Sequence, residues 1–414
     1  MRNVLPLKDQ YALMDEVLKK RLDELLPKMM RETGIDCWVV LCKEYNEDPC
    51  LPFITPTSFP TARRLTCLIF YDDGKTVKRY NAGRPDHGLA GLFENTWKLD
   101  EEEQYEGIKR VLTKLAPKVI GLNYSSDFAF GDGLTKSLYD EFKAAMTPAI
   151  MRKVVSAEKL VIRYLETRLP VEQARYRTVA AIAQDIIEEA FSAKQITPGL
   201  TTTGDLEWFM MQATNDLGCP FWFPPTVDIQ RPGIGMIDGN EIILPGDLLH
   251  CDYGLVYLGL CTDTQRLCYV GKPGEVCAPS DLLEAMAEND RFQDIVTENY
   301  ATGKTGNDLL MEALEKGKAA GMRPILYTHP IGTYGHGPGP IIGLWNQQAP
   351  IEGRGDWPLY YDTNYALELT TIHYVPSFGF DVRMMTEETI QVTASGVEYL
   401  MPGREKIIFV SSDR

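Results

Sequence analysis

Histidine is scarce in this chain, five in 414 residues, so few imidazoles are on hand for any site that needs one. Positive charge is short as well. Lys and Arg number 42 against 58 Asp and Glu, a net charge of −16, which repels a phosphate backbone unless a basic patch intervenes. The nearest basic cluster is the pair Arg63 and Arg64. Two arginines are an ordinary solvated or salt-bridged surface feature, so nucleic acid is excluded as a partner. Long apolar runs are missing, and MRNVLPLKDQ has no apolar signal core. A membrane span is therefore excluded, and a cytoplasmic location is the default unless an export signal has been trimmed. None of the nine cysteines has a partner at C-x-x-C spacing, and most lie in apolar, strand-like stretches. They read as reduced core residues, not as zinc or redox ligands.

Internal repeats and low-complexity segments are also lacking, and a chain of this length asks for two domains. From Asp9 to Arg31, Val17, Leu18, Leu22, Leu25, Leu26 and Met29 recur at helical spacing. Strand-like Cys37 to Leu41, Thr66 to Tyr71 and Val119 to Leu122 follow, so an α/β domain is expected over residues 1–160. The charged stretch 156–169 ends at Pro170, which suits the first turn of a new helix. Beyond it Val179, Ile182, Ala183, Ile186 and Ala190 share a helix face. A second helix starts behind Thr202, with Asp205 completing a capping box, and a third spans about 308–320. Pro-rich and strand-like segments lie between, so residues 161–414 are expected to form an α+β domain.

The most informative segment is 247–269, DLLHCDYGLVYLGLCTDTQRLCY. It reads as two strands joined within Gly254 to Gly259. A turn centred between Tyr257 and Leu258 would oppose residues whose numbers sum to 515, and Asp252 with Asp263 is such a pair. Like charges so placed, roughly 5 Å apart at Cβ, destabilise a sheet unless something positive sits between them. Two divalent ions about 4 Å apart meet that demand and activate water for hydrolysis. A different register would leave both aspartates as ordinary turn or surface residues. His336 stands between glycines in Tyr334-Gly335-His336-Gly337, which fits either close approach to a ligand or an exposed loop. Glu368 lies in the apolar run Tyr365-Ala366-Leu367-Glu368-Leu369, where a buried charge needs a partner or a metal. Of Glu387 and Glu388, one would turn inward from the strand they precede, unless both are solvated at its end.

Together these residues resemble the pita-bread metallopeptidases, the family of aminopeptidase P, prolidase, methionine aminopeptidase and the metal-free creatinase. The resemblance rests on Asp252 and Asp263 with ten residues between, the glycine-flanked His336, Glu368 in its apolar strand, and Glu387 six residues before Thr393. Leu169-Pro170-Val171-Glu172 and Thr197-Pro198-Gly199-Leu200-Thr201 look like further family elements, so the likeness covers most of the chain. It implies an α+β pita-bread C-terminal domain behind a creatinase-like N-terminal α/β domain. It also implies two divalent metal ions: manganese, given hard carboxylates and one imidazole, with cobalt, iron or zinc as the other choices. Asp263 and Glu387 would bridge both ions, Asp252 would hold one, and His336 with Glu368 the other. Glu368 would also shuttle the proton of the bridging water. The implied activity is that of an Xaa-Pro aminopeptidase or dipeptidase acting on a peptide or small amide as a homodimer.

The chain departs from the family pattern around the substrate. No histidine lies near Arg231 to Ile234, where the family carries one before its first aspartate. Gln347 stands where a histidine is expected beyond His336, and its amide donates a hydrogen bond but carries no proton. His329 or His373 would supply the missing catalytic imidazole, although either is equally readable as structural. Arg266 is kept after the second aspartate and, with Gln347, is a candidate for substrate binding. Two alternatives stay open: a dimetal hydrolase of a non-peptide C–N or amide bond, as in creatinase, and a catalytically silent binding module.

Overall fold

The structure is a computed structural model describing residues 4–237 and 239–413. The chain forms two compact units that divide at Leu169 and Pro170. Helix Glu158–Glu166 packs Leu160, Val161, Tyr164 and Leu165 into the first unit's core. The division therefore follows that helix and does not fall at the expected 160/161.

In the first unit the amphipathic N-terminal stretch is helical over Leu7–Lys20 and Leu26–Thr33, joined by a wider π turn at Arg21–Leu25. Pro27 has no N–H for the carbonyl four residues back, which interrupts the ladder there. Gly34, at φ 72°, ends the helix. Among the described residues a six-stranded sheet has Cys37–Cys42 near its centre, antiparallel to Thr66–Asp72 and parallel to Ile120–Leu122. Alternation sends Trp38 and Val40 to one face, against Leu22, Leu26 and Met30. Cys37, Val39 and Leu41 go to the other, against Ile108, Leu112, Leu138 and Phe142. Both faces are covered by helices, so the central strand is apolar throughout.

Among the described residues the second unit carries a curled, ten-stranded sheet. Its long strands Thr363–Val375 and Phe380–Thr393 pair antiparallel along their whole length. Beyond them lie Thr264–Val270, Leu248–Tyr253 and Thr226–Arg231. Helices Pro170–Ala190 and Thr203–Asp216 cover one part of the sheet through Val179, Ile186, Leu206 and Met210, packed with Leu249, Cys251 and Cys268. Thr202 and Asp205 form the expected capping box. Helix Ser280–Glu298 covers another part through Leu282, Ala285 and Met286, against Leu248, Leu267 and Met384. Eight cysteines are buried and free, with Cys277 exposed. No described helix is long and apolar enough to cross a membrane.

Candidate metal centre

Five strands of the second unit set one row of side chains. Thr226 pairs with Asp252, Asp252 with Gln265, Gln265 with Glu387, and Glu387 with Glu368. Direct cross-strand partners share a face, so Asp252, Gln265, Glu387 and Glu368 stand side by side. The register differs from the expected one. Leu258 and Gly259, at φ 53° and 74°, make a two-residue turn of the kind that matches strand twist. Val256 then pairs with Cys261 and Tyr257 with Leu260, so opposed numbers sum to 517 and not to 515. The expected pairing of Asp252 with Asp263 is thus corrected. Asp252 faces Gln265, and Asp263 falls opposite Gly254, in the gap between two ladder segments.

That gap is held open by Trp222, whose Nε1 donates to the Thr262 carbonyl at 2.8 Å. A Cβ on residue 254 would lie 2.3 Å from that carbonyl oxygen and 2.4 Å from the indole nitrogen, so only glycine fits. Released from the ladder, Asp263 still turns toward the row. One oxygen each of Asp252, Asp263 and Glu387 lie within 4.8 Å of one another.

His329 enters from the other side. Its strand His329–Pro330 pairs with Ala366, two residues from Glu368 on the same strand face. Nδ1 donates to the Pro330 carbonyl at 3.0 Å, which leaves Nε2 as a lone pair. That nitrogen lies 3.5 Å from Asp263 Oδ2 and 3.4 Å from Glu387 Oε1. His336 lies outside it, exposed, with ring centroids 4.6 Å apart. Trp222 meets His336 edge-on at 5.2 Å.

The electrostatics of this cluster call for cations. Asp252 Oδ1, Asp263 Oδ1, both Glu387 oxygens and His329 Nε2 are buried without a hydrogen-bond partner. Leaving so many acceptors unsatisfied is costly unless something positive sits among them. Burial, reinforced by neighbouring carboxylates, pushes Asp252 and Glu387 well above the usual carboxylate range. Burial pushes Glu368 up to about 8. For His329 burial pulls downward, yet the facing Asp263 carboxylate outweighs it and the imidazole ends raised. Burial and the neighbouring His329 hold His336 below its ordinary value. Carboxylate oxygens with one imidazole form a donor set that fits hard or borderline divalent ions.

Other residues singled out in the sequence lie elsewhere. Arg266 points to the opposite face of its strand, with Nη1 2.6 Å and Nη2 3.0 Å from the Glu388 carboxylate. It also donates to Gln184 Oε1 and to the carbonyls of Gln265 and Glu387. Glu388 is thus the member of the Glu387, Glu388 pair that turns away from the cluster, buried against Arg266 on the opposite face. Gln347 is exposed and donates to the Pro350 carbonyl at 3.3 Å. His373 is five residues past Glu368, pairs with Val382 and joins none of the clusters found among the described residues. Gln265, His250, Asp228 and Trp222 stand beside the cluster without a motif in the sequence to mark them; only period-two alternation, which puts His250 on the face of Asp252, points to one of them.

The sequence profile of metallopeptidase family M24 matches residues 174–394. No curated protein sequence matches the chain. Among solved structures, an X-Pro aminopeptidase from Thermotoga maritima is 18% identical, covering 92% of this chain and 100% of its own, with a TM-score of 0.66. An Xaa-Pro dipeptidase from Bacillus anthracis is 18% identical, covering 95% and 99%, with a TM-score of 0.58. A prolidase from Pyrococcus furiosus is 18% identical, covering 91% and 99%, with a TM-score of 0.57. These likenesses establish the pita-bread fold with its N-terminal α/β unit. The profile match spans more than half of the chain and contains every residue of the acidic cluster, and the protein belongs to metallopeptidase family M24.

Proposed function

We propose that the protein is a dimetal Xaa-Pro peptidase whose two cations, manganese first among the choices, are held by Asp252, Asp263, His329, Glu368 and Glu387. The observation carrying this reading is the convergence of the buried Asp263 and Glu387 carboxylates, each with an unpartnered oxygen, on His329 Nε2. His329 takes the ligand place expected of His336, because the buried imidazole groups with Asp263, Glu368 and Glu387, whereas the exposed one reaches only Asp263 among the carboxylates. Asp263 and Glu387, nearest that nitrogen, would hold the ions together with it. The cations, when bound, supply Lewis acidity that acidifies water and polarises the scissile carbonyl.

The chain's own groups do the rest. Glu368 Oε1 accepts the Gln265 amide, so Oε2 is the oxygen left to take a proton from the attacking water and pass it to the leaving nitrogen. His336, held neutral, donates its N–H to the developing oxyanion. Trp222 and Phe223, half-buried with ring centroids 4.4 Å apart, offer an apolar wall beside His336 for a pyrrolidine ring. The names of the structural relatives support the proline direction, and the homodimer rests on the family resemblance.

The test compares Xaa-Pro peptides with matched peptides lacking proline, using protein supplied with Mn2+. Metal-dependent cleavage confined to the proline series is expected. Protein that stays metal-free under these conditions would sink the reading, and cleavage without proline preference would move it to another amide.

A further inference from the structure

Behind the acidic row lies a second line of polar side chains. His250 precedes Asp252 by two residues and so shares its face, and its direct partner on the next strand is Asp228. Asp228 Oδ2 lies 2.9 Å from His250 Nδ1, and Gln265 Oε1 lies 3.0 Å from His250 Nε2. The amide nitrogen of Gln265 then donates to Glu368 Oε1 and reaches Asp252 Oδ2 at 3.5 Å. His250 and Gln265 are both buried.

The donors fall in one order. A Gln265 amide turned the other way would set its carbonyl oxygen against Glu368, which offers no hydrogen once it is ionised as a metal ligand. The oxygen must therefore face His250, which donates to it from Nε2 and donates to Asp228 from Nδ1. Gln265 is also uncharged, placed by register between the carboxylates of Asp252 and Glu387. A glutamine side chain is long and has free rotamers, so its reach to Glu368 needs such an anchor.

We propose that Asp228, His250 and Gln265 form a positioning arm that commits Glu368 Oε1 to an amide and leaves Oε2 as its working oxygen. The arm rests on the dimetal reading of Glu368 given above. Asp228 and His250 touch neither substrate nor cation and act through Gln265.

Mn2+ is titrated calorimetrically into metal-stripped full-length wild type, Gln265→Leu, His250→Ala and the double variant. Values of kcat and KM on an Xaa-Pro dipeptide are measured for the same set, with circular dichroism to confirm folding. Loss of such an outer hydrogen bond is expected to weaken Mn2+ affinity and lower kcat by about 10- to 100-fold, with KM little changed. The double variant is expected to be little worse than Gln265→Leu alone, because the hydrogen-bonded path from His250 to Glu368 runs through that amide. Independent, multiplying losses would overturn the arm. So would a folded Gln265→Leu protein with wild-type affinity and kcat. Should Gln265→Leu not fold, His250→Ala alone decides: wild-type affinity and kcat in that variant overturn the arm, and the stated loss in kcat without change in KM upholds it. Wild type that binds no Mn2+ overturns the dimetal reading and the arm together, whereas wild type that binds while the variants bind equally well overturns the arm alone.

Discussion

His329 directs Nε2 at Glu387 Oε1 across 3.4 Å, and neither atom has a hydrogen-bond partner. An imidazole already fixed through Nδ1, facing a buried carboxylate with both oxygens unused, is a pair arranged for a third body. His336 reaches the same cluster only at Asp263 among its carboxylates, and it sits exposed at the rim against Trp222.

The two histidines should therefore separate by phenotype. His329→Ala is expected to lose one Mn2+ site, seen by metal analysis after dialysis. His336→Ala should keep both ions and lose about 10²- to 10³-fold in kcat, the usual cost of one donor to an oxyanion. The reverse pattern would return the ligand role to His336.

The metal-free protein should weaken as pH rises. Glu368 is held at about 8 in the fold against 4.5 for the free side chain, so the folded state binds more protons between those values. Its stability is then full below about 4.5 and declines as pH climbs toward 8, since the slope follows the difference in protons bound. Thermal melts of stripped protein across that window should show a falling Tm, and saturating Mn2+ should flatten the curve. Mn2+ binding should release protons, read as a buffer-dependent heat. A Tm that rises with pH in the stripped protein would contradict this account.

Gly254→Ala puts a methyl 2.3 Å from the Thr262 carbonyl oxygen and 2.4 Å from Trp222 Nε1. Relief requires the indole to move or the hairpin to close, and either displaces Asp263. A stability loss of about 1–3 kcal/mol is expected from overpacking of this kind, measured by chemical denaturation, together with weaker Mn2+ binding. Unchanged stability would mean the gap is softer than its contacts imply.

Arg266 should behave as a structural residue. Arg266→Met leaves Glu388 buried without its partner, which costs about 3–5 kcal/mol. Arg266→Met with Glu388→Leu should recover much of that loss, because no charge is then stranded. A folded Arg266→Met enzyme with normal stability and raised KM would instead favour the substrate role considered from the sequence.

Much of this protein was legible in its sequence, for reasons that are local. The turn signals, the period of the apolar residues and the proline at residue 170 mark helices and strands because they act through neighbouring backbone atoms. Asp252, Asp263, Glu368 and Glu387 could be singled out because a carboxylate inside an apolar strand is costly wherever that strand packs. What lay beyond local reading was the third dimension of the same residues. Alternation tells which residues share a strand face, but not which register brings two strands together. The turn at Leu258 and Gly259 moved the pairing by two, put Gln265 where Asp263 was expected, and left Asp263 free beside Gly254. Whether Glu387 or Glu388 faces the cluster was settled by Arg266, which lies far from them in sequence and claims Glu388. His329, at the strand His329–Pro330, and His336, between glycines, are seven residues apart, and the pairing of His329 with Ala366 puts one inside and leaves the other at the rim. The sequence alone thus determined the donor chemistry and the elements that carry it, whereas tertiary structure decided which atoms meet, because long-range register and packing fix distances that no local preference encodes.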